Sequence, residues 1–191
     1  MPRLADVSNL SNQFLIAMPG LAESVFAGSV IYLCEHSPRG ALGLVINRPT
    51  DIVLKDLFDR LELPLQRPEL AEHTVFYGGP VQTERGFVLH DPSPRSYAST
   101  LQVDGGLQMT TSKDVLEHIS SEGGPQRFFV ALGYAGWSAG QLEDEIAHNG
   151  WLTVEADAAI VFDTPVEQRL DAAMSLIGIS SLSLSQTAGH A

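Results

Sequence analysis

Short apolar runs alternate with turns rich in glycine and proline along most of the chain. Residues 29–36 are rich in β-branched and aromatic side chains and are apolar on both alternating faces, which is typical of a buried strand. A turn sequence, SPRG, follows at 37–40, and 41–47 form a second apolar run. This pattern predicts that the two runs pair as an antiparallel hairpin.

Other apolar runs predict the remaining strands, and apolar residues at helical spacing predict the helices. The predicted strands lie at 75–77, 86–90, 127–133, 151–154 and 158–162. The predicted helices lie at 54–61, at 112–119 with Ser112 as the cap, at 139–148 closed by Asn149 and Gly150, and at 164–178 opened by a capping box of Thr164 and Glu167. Because strands and helices do not alternate regularly, we predict an α+β fold and not a doubly wound sheet.

The length of the chain, 191 residues, favours one domain over two. We predict a single domain over 1–178 and a serine-rich tail at 179–191 that is expected to be disordered. No apolar stretch approaches the ~20 residues of a membrane span, and the N-terminus lacks the apolar segment of a signal peptide. These features predict a bacterial-type cytoplasmic protein without a membrane partner.

Charge narrows the classes of partner. The formal net charge is −12, from 23 acidic and 11 basic residues. An acidic chain repels phosphate backbones, so direct DNA binding is not expected, and the partner is predicted to be a protein or a small molecule. Cys34 is the sole cysteine, which excludes an internal disulfide and a zinc-binding cysteine cluster. We predict no metal and no cofactor.

The segment GWSAG around Ser138 matches the pattern G-x-S-x-G between a predicted strand and a predicted helix. That context is typical of a nucleophile elbow, in which a tight turn exposes a serine hydroxyl. One hypothesis is therefore a serine hydrolase with Ser138 as the nucleophile. Of the histidines after Ser138, His148 lies on the same predicted helix and His190 lies in the tail. An upstream base, His36 or His90, requires a different order of the triad.

A second hypothesis makes Ser138 the N-cap of the predicted helix 139–148. Gln141 stands three residues later, so the two residues match a Ser-x-x-Gln capping box. A cap contributes about 1 kcal/mol to stability, which is sufficient reason for a serine at this position. We favour this structural interpretation over the nucleophile.

Four residues are candidates for ligand binding. Gly136 belongs to a set of glycines before a helix, an arrangement that can hold a phosphate group. Trp137 is expected to line a groove or the core, and Ser138 is grouped with these two neighbours. Arg48, in the turn after the predicted strand 41–47, is expected either to bind an anion or to be solvated.

Cys34 and His36 fall on one face of the predicted strand 29–36 if the strand alternates regularly. The pair then supplies two metal ligands, with His90 as a third, or His36 lowers the pKa of the Cys34 thiol and makes it redox-reactive. The simplest interpretation is a buried structural cysteine beside a histidine at the strand end, and we favour it.

Several motifs together resemble one bacterial family. The segments at 11–19, 40–49, 77–81 and 133–143, the last reading GYAGWSAGQLE, stand in the order found in the YqgE/AlgH family, and the resemblance covers roughly residues 8–178. It implies a bifurcated, mostly antiparallel sheet that curls into a pseudo-barrel with flanking helices. Members are described as transcriptional regulators without an established molecular activity, and the resemblance supplies no catalytic residues. It also argues against Ser138 as a nucleophile.

The leading hypothesis is a non-enzymatic regulatory or binding protein whose molecular activity is unknown. Any role in transcription is then indirect, through a protein or small-molecule partner. The alternatives are a serine hydrolase that uses Ser138 and a redox-responsive protein that uses Cys34.

Overall fold

The computed structural model describes residues 9–21, 24–121 and 123–178. The predicted disordered tail at 179–191 lies outside the described residues. The strands are β1 Gln13–Ala17, β2 Val30–Ser37, β3 Gly40–Val45, β4 Pro49–Val53, β5 Thr74–Tyr77, β6 Val81–His90, β7 Thr100–Gln102, β8 Gln108–Thr110, β9 Phe128–Ser138 and β10 Trp151–Glu155. The helices are α1 Leu54–Arg60, α2 Asp114–Ser120, α3 Gln141–Ala147, α4 Ala158–Phe162 and α5 Arg169–Ser175. Within the described ranges, no helix is long and apolar enough to cross a membrane.

One curled sheet contains all of these strands, and β9 is its fork. The strand order is β10-β1-β2-β3-β9-β6-β8-β7, and the pair β4–β5 branches off through a parallel pairing of β5 with β9. The C-terminal part of β9 pairs with β3, and its N-terminal part pairs with β6. This mostly antiparallel sheet, which forms a half-barrel with flanking helices, confirms the predicted α+β fold.

Glycine is required where the two arms of the sheet diverge. Gly133 has φ +78°, which only glycine adopts readily. A Cβ at this position would also collide with the carbonyl oxygen of Gly79. The chain can therefore leave one arm and enter the other at this point.

Three hydrophobic clusters hold the helices on the sheet. Helices α4 and α5 pack on the cluster that contains Phe14 and Tyr32. Helices α1 and α2 share a second cluster with Val88 and Val130. Helix α3 packs through Leu142 on a third cluster, which includes both tryptophans.

Two of the predicted elements are wrong near the C-terminus. Residues 158–162, predicted as a strand, form helix α4, because Asp157 caps it by accepting the Ala159 N–H at 3.0 Å. The helix predicted from 164 begins at Arg169, after a 3-10 turn. Thr164 does not cap it, since its hydroxyl donates to the Ala159 carbonyl at 3.3 Å.

Candidate functional site

The segment around Ser138 continues a strand and does not form a nucleophile elbow. Ser138 is the last residue of β9 and pairs with Gly40 of β3. The sharp turn comes at Gly140, which has φ +77° and is the N-cap of α3. The prediction that Ser138 caps this helix is therefore wrong, because strand pairing extends through Ser138 and the N-cap position falls two residues later, at Gly140. The Ser138 N–H and hydroxyl instead donate to the side-chain oxygen of Gln141, at 3.0 and 3.3 Å.

None of the histidines that the structure describes forms a hydrogen bond with Ser138. The ring Nδ1 of His148 bonds to the carbonyl of Asp144 in its own helix, at 2.7 Å. His190 lies outside the described residues. The Ser138 hydroxyl is exposed but has only the Gln141 amide as its partner.

His36 has both ring nitrogens occupied. Its Nδ1 accepts the backbone N–H of Leu10 at 3.0 Å, so this nitrogen carries no proton. Its Nε2 therefore carries the proton and donates to the Glu143 carboxylate. Neither nitrogen is left to accept a proton from a substrate or a serine, and His36 instead fixes the end of β2 to α3.

A cleft of about 490 Å³ opens between the β2–β3 turn and the start of α3. We call it the hairpin cleft. Its lining comprises Asn9, His36, Ser37, Pro38, Gly140, Glu143 and Asp144. The acidic side chains that line it are Glu143 and Asp144, and no lysine or arginine among the described residues lines it, so its electrostatic character is acidic.

A second cleft, of about 430 Å³, lies across the same turn. Gly136 and Trp137, two of the predicted binding residues, contribute to its wall, together with Glu35, Arg39 and Tyr134. The β2–β3 turn therefore separates two concave surfaces. The structure brings Gly136, Trp137 and Ser138 to this end of the sheet.

Arg48 lies at the opposite end of β3 from these residues. Its guanidinium donates to the Ala27 carbonyl at 2.8 Å and lies 6.0 Å from the centroid of the Tyr77 ring. It thereby holds the loop before β2. The structure does not place Arg48 with Gly136, Trp137 and Ser138 in one site.

Glu145 joins the two tryptophans to α3, a role that the sequence analysis missed. The indole N–H groups of Trp137 and Trp151 donate to one Glu145 oxygen at 3.1 and 2.9 Å. The Gln141 amide donates to the other oxygen at 2.9 Å. Phe26 stacks on Trp137 with 6.2 Å between ring centroids. The two tryptophans in the sequence could have indicated this role, because the N–H of a buried indole requires a hydrogen-bond acceptor.

A β-bulge separates Cys34 from His36. The pairing of β2 with β3 shifts between Leu33 and Glu35, so Cys34 is the extra residue. Cys34 packs in the cluster under α4 and α5, whereas His36 pairs with Ala41 on the face toward α3. The expectation that Cys34 and His36 share a face is therefore wrong, because the bulge inverts the alternation.

The Cys34 side chain is 2% exposed. Its thiol donates to the Tyr32 carbonyl at 3.7 Å. Burial raises the pKa of the Cys34 thiol well above its usual range, and the negative charge of Glu35 adds to this effect. The protonated, unreactive form is favoured in this environment.

His90, suggested as a third metal ligand, is fully buried elsewhere in the sheet. Its Nδ1–H donates to the Asp91 carbonyl and its Nε2 accepts from the Thr110 hydroxyl, both at 2.8 Å. Burial lowers the pKa of His90, and Asp91 partly opposes this. Across residues 9–21, 24–121 and 123–178, no group of three acidic, histidine or cysteine side chains is arranged to hold a metal ion.

Comparison with known proteins assigns the chain to a family. A family model described as AlgH-like matches residues 14–182. The chain is 64% identical over 191 residues to a UPF0301 protein of Paraburkholderia phymatum, covering 100% of both chains. It is 65% identical over 183 residues to a UPF0301 protein of Ralstonia nicotianae, covering 96% of both. The chain therefore belongs to the AlgH-like family, which confirms the resemblance noted in the sequence.

Solved structures support the same assignment. The solution structure of the AlgH protein from Pseudomonas aeruginosa is 48% identical, with a TM-score of 0.80 and 96% of each chain covered. A crystal structure of a Corynebacterium diphtheriae protein shares the fold, with a TM-score of 0.66 at 19% identity over 86% of this chain and 85% of that one. The family is one whose molecular function is uncharacterised.

Proposed function

We propose that the protein is a non-enzymatic binding protein of the regulatory class and that the hairpin cleft is its binding site. The supporting observation is that the groups around the cleft are already held in place, since His36 is fixed between Leu10 and Glu143. A site that is ordered before binding loses little conformational entropy when the ligand arrives. The volume of about 490 Å³ is in the range of small-molecule and side-chain pockets.

The charge of the cleft favours a cationic ligand group. Within the described part of the chain, the Asp144 carboxylate forms no side-chain hydrogen bond or ion pair, and Glu143 bonds to His36 through one oxygen only. The net charge of −12 adds a long-range attraction for cations. The partner is therefore a basic peptide segment or a small molecule that carries an ammonium or guanidinium group.

Agmatine, which carries both groups, is a suitable probe. Titration into the ¹⁵N-labelled full chain should shift the backbone amide resonances of Ser37, Gly140 and Glu143. Asp144→Asn should weaken binding about fivefold, as expected for one partly exposed ion pair of ~1 kcal/mol. Asp171→Asn, which removes an exposed carboxylate from α5, is the matched control. Shifts spread evenly over the acidic surface, or equal effects of the two variants, would refute the proposal.

The hydrolase hypothesis is tested with a fluorophosphonate probe, which labels activated serines. We expect no labelling of the protein, because the Ser138 hydroxyl has only the Gln141 side chain as a partner. Labelling that disappears in Ser138→Ala would establish the enzyme instead.

Any role in transcription would be indirect, because the acidic chain repels the phosphate backbone of DNA. We expect purified protein to leave duplex DNA unshifted in a gel assay at physiological salt. A tight shift under these conditions would contradict this part of the proposal.

A further inference from the structure

A pocket of about 230 Å³ opens on the side of the molecule that carries α1 and α2. We call it the helix pocket. Its floor is apolar and consists of side chains from both helices and from two strands of the sheet, namely Leu57, Leu61, Val88, Leu116 and Val130. Leu57, Val88, Leu116 and Val130 are each nearly buried, so the pocket reaches into the second hydrophobic cluster.

An irregular segment of β6 forms one wall of this pocket. The pairing with β9 jumps from Val81 opposite Tyr134 to Gly86 opposite Leu132, so residues 82–85 stand opposite Gly133 alone. The regular pairing of β6 with β9 is interrupted over these residues. They bring Glu84 and Arg85 to the mouth of the helix pocket.

Two cations stand at the mouth without acidic partners. The Arg85 guanidinium donates to the Thr111 hydroxyl at 3.2 Å and to the Gln82 side-chain oxygen at 3.4 Å, and both acceptors are neutral. Lys113, the residue immediately before α2, lines the same pocket. Among the residues that the structure describes, neither cation forms an ion pair.

We propose that the helix pocket binds a small aliphatic carboxylate, with the alkyl chain on the apolar floor and the carboxylate between Arg85 and Lys113. The apolar floor complements the alkyl chain of an amphipathic anion, and the cationic rim complements its carboxylate. The volume is below the ~300–1,000 Å³ of drug-sized pockets, which selects a short chain. The Glu84 carboxylate on the same rim repels the anion, but the two cations outnumber it, so the net charge of the rim stays positive.

This site is independent of the proposed function. The hairpin cleft lies beside α3 and is acidic, whereas the helix pocket lies between α1 and α2 and has a cationic rim. Ligands of opposite charge therefore distinguish the two sites in the same preparation, and failure of one proposal leaves the other standing.

The first test is calorimetric titration of the full chain with butyrate, hexanoate and octanoate. Each added methylene should strengthen binding about fourfold until the pocket is full, from the transfer free energy of ~0.8 kcal/mol per buried methylene. Hexanol, which has the chain without the charge, should bind more weakly than hexanoate. Amide resonances of Leu57, Thr111 and Leu116 should shift on titration. No binding at millimolar concentration, or shifts centred on the hairpin cleft, would overturn the proposal.

Charge variants supply the second test. Arg85→Gln with Lys113→Gln should weaken hexanoate binding about tenfold, as expected for two exposed ion pairs, and should leave hexanol binding unchanged. Glu84→Gln should strengthen hexanoate binding. Arg39→Gln with Arg95→Gln is the control, since it changes the net charge equally at two exposed arginines elsewhere. Equal losses in the two double variants would show only general electrostatic attraction and would overturn the assigned site.

Discussion

The region around α3 and the region between α1 and α2 use charge in opposite ways. At α3, Glu143 is bonded to His36 and Glu145 is bonded to two indoles, so these carboxylates fix the structure internally. At the helix pocket, Arg85 and Lys113 bond no acid among the described residues and stand at the rim of an apolar floor. At α3, the Asp144 carboxylate has no side-chain partner among the described residues and carries most of the charge available to a ligand, whereas at the helix pocket both cations are available.

Packing also differs between the two regions. Leu142 of α3 is 1% exposed and lines neither of the two clefts beside the β2–β3 turn, whereas Leu116 of α2 is 6% exposed and borders the helix pocket. Helix α3 is therefore held by apolar contacts together with hydrogen bonds to Glu145. The α1–α2 pair is held by apolar contacts around a partly open space.

Replacing one leucine in each region by alanine should give the largest difference in the free energy of unfolding. Leu142→Ala should lower the free energy of unfolding by about 4 kcal/mol, because it leaves a new cavity in a filled cluster. Leu116→Ala should cost about 2 kcal/mol, because its side chain already faces the pocket. Urea denaturation followed by circular dichroism measures both values. Equal costs would mean that the two regions are packed alike.

Glu145→Ala should cost about 3 kcal/mol, because two buried indole N–H groups lose their charged acceptor. Glu145→Gln should recover part of this loss, since its amide oxygen still accepts a hydrogen bond. Both tryptophans of the protein contact Glu145, so intrinsic fluorescence during urea denaturation reports on this region directly. Glu117→Ala, at an exposed position on α2, is the control and should stay within ~0.5 kcal/mol. If Glu145→Ala costs no more than this control, then Glu145 does not hold the two tryptophans to α3.

The third prediction concerns how stability depends on pH through His90, which lies on the helix-pocket side of the sheet. The pKa of His90 is lowered in the fold, so the unfolded chain binds a proton more readily than the native one. Its contribution to stability is therefore complete above the unfolded pKa of about 6.5 and is lost as pH falls from there toward the lowered folded pKa. The limiting slope for one proton is about 1.4 kcal/mol per pH unit.

Urea midpoints at several pH values between 7.5 and 5 provide the measurement. His90→Gln should reduce the pH dependence in this window, and the remainder includes His73, whose pKa is also lowered by burial. His148→Gln, at an exposed histidine of the α3 region, is the control variant. If His90→Gln retains the full slope, then another group controls the stability in this range.

Ser138→Ala should have the smallest effect, within ~0.5 kcal/mol, since the hydroxyl is exposed and makes one weak bond at 3.3 Å. Gln141→Ala should cost more, about 1 kcal/mol, because the Gln141 side chain bonds both the Ser138 N–H and Glu145. Fluorescence-monitored unfolding of the two variants checks this order. A larger cost for Ser138→Ala than for Gln141→Ala would show that the serine hydroxyl has a structural role.

Sequence reasoning succeeded where the structural requirement is local. The turn at 37–40 joins two strands as predicted, and Asn149, with φ +60°, closes α3 together with Gly150. Reasoning failed at 158–162, because five apolar residues fit a buried strand and a short buried helix equally well. It also failed at Cys34, since a bulge is set by how two strands pair and not by the residues of one strand.

The sequence by itself determined the family, the fold class and most of the turns, because glycine, proline and apolar periodicity act through neighbouring residues. The tertiary structure alone decided the sites. His36 and Glu143 are 107 residues apart in the chain and meet only after the sheet has curled. The helix pocket likewise depends on a shift in register between β6 and β9. Contacts between distant segments depend on how the whole core packs, and no local pattern records them.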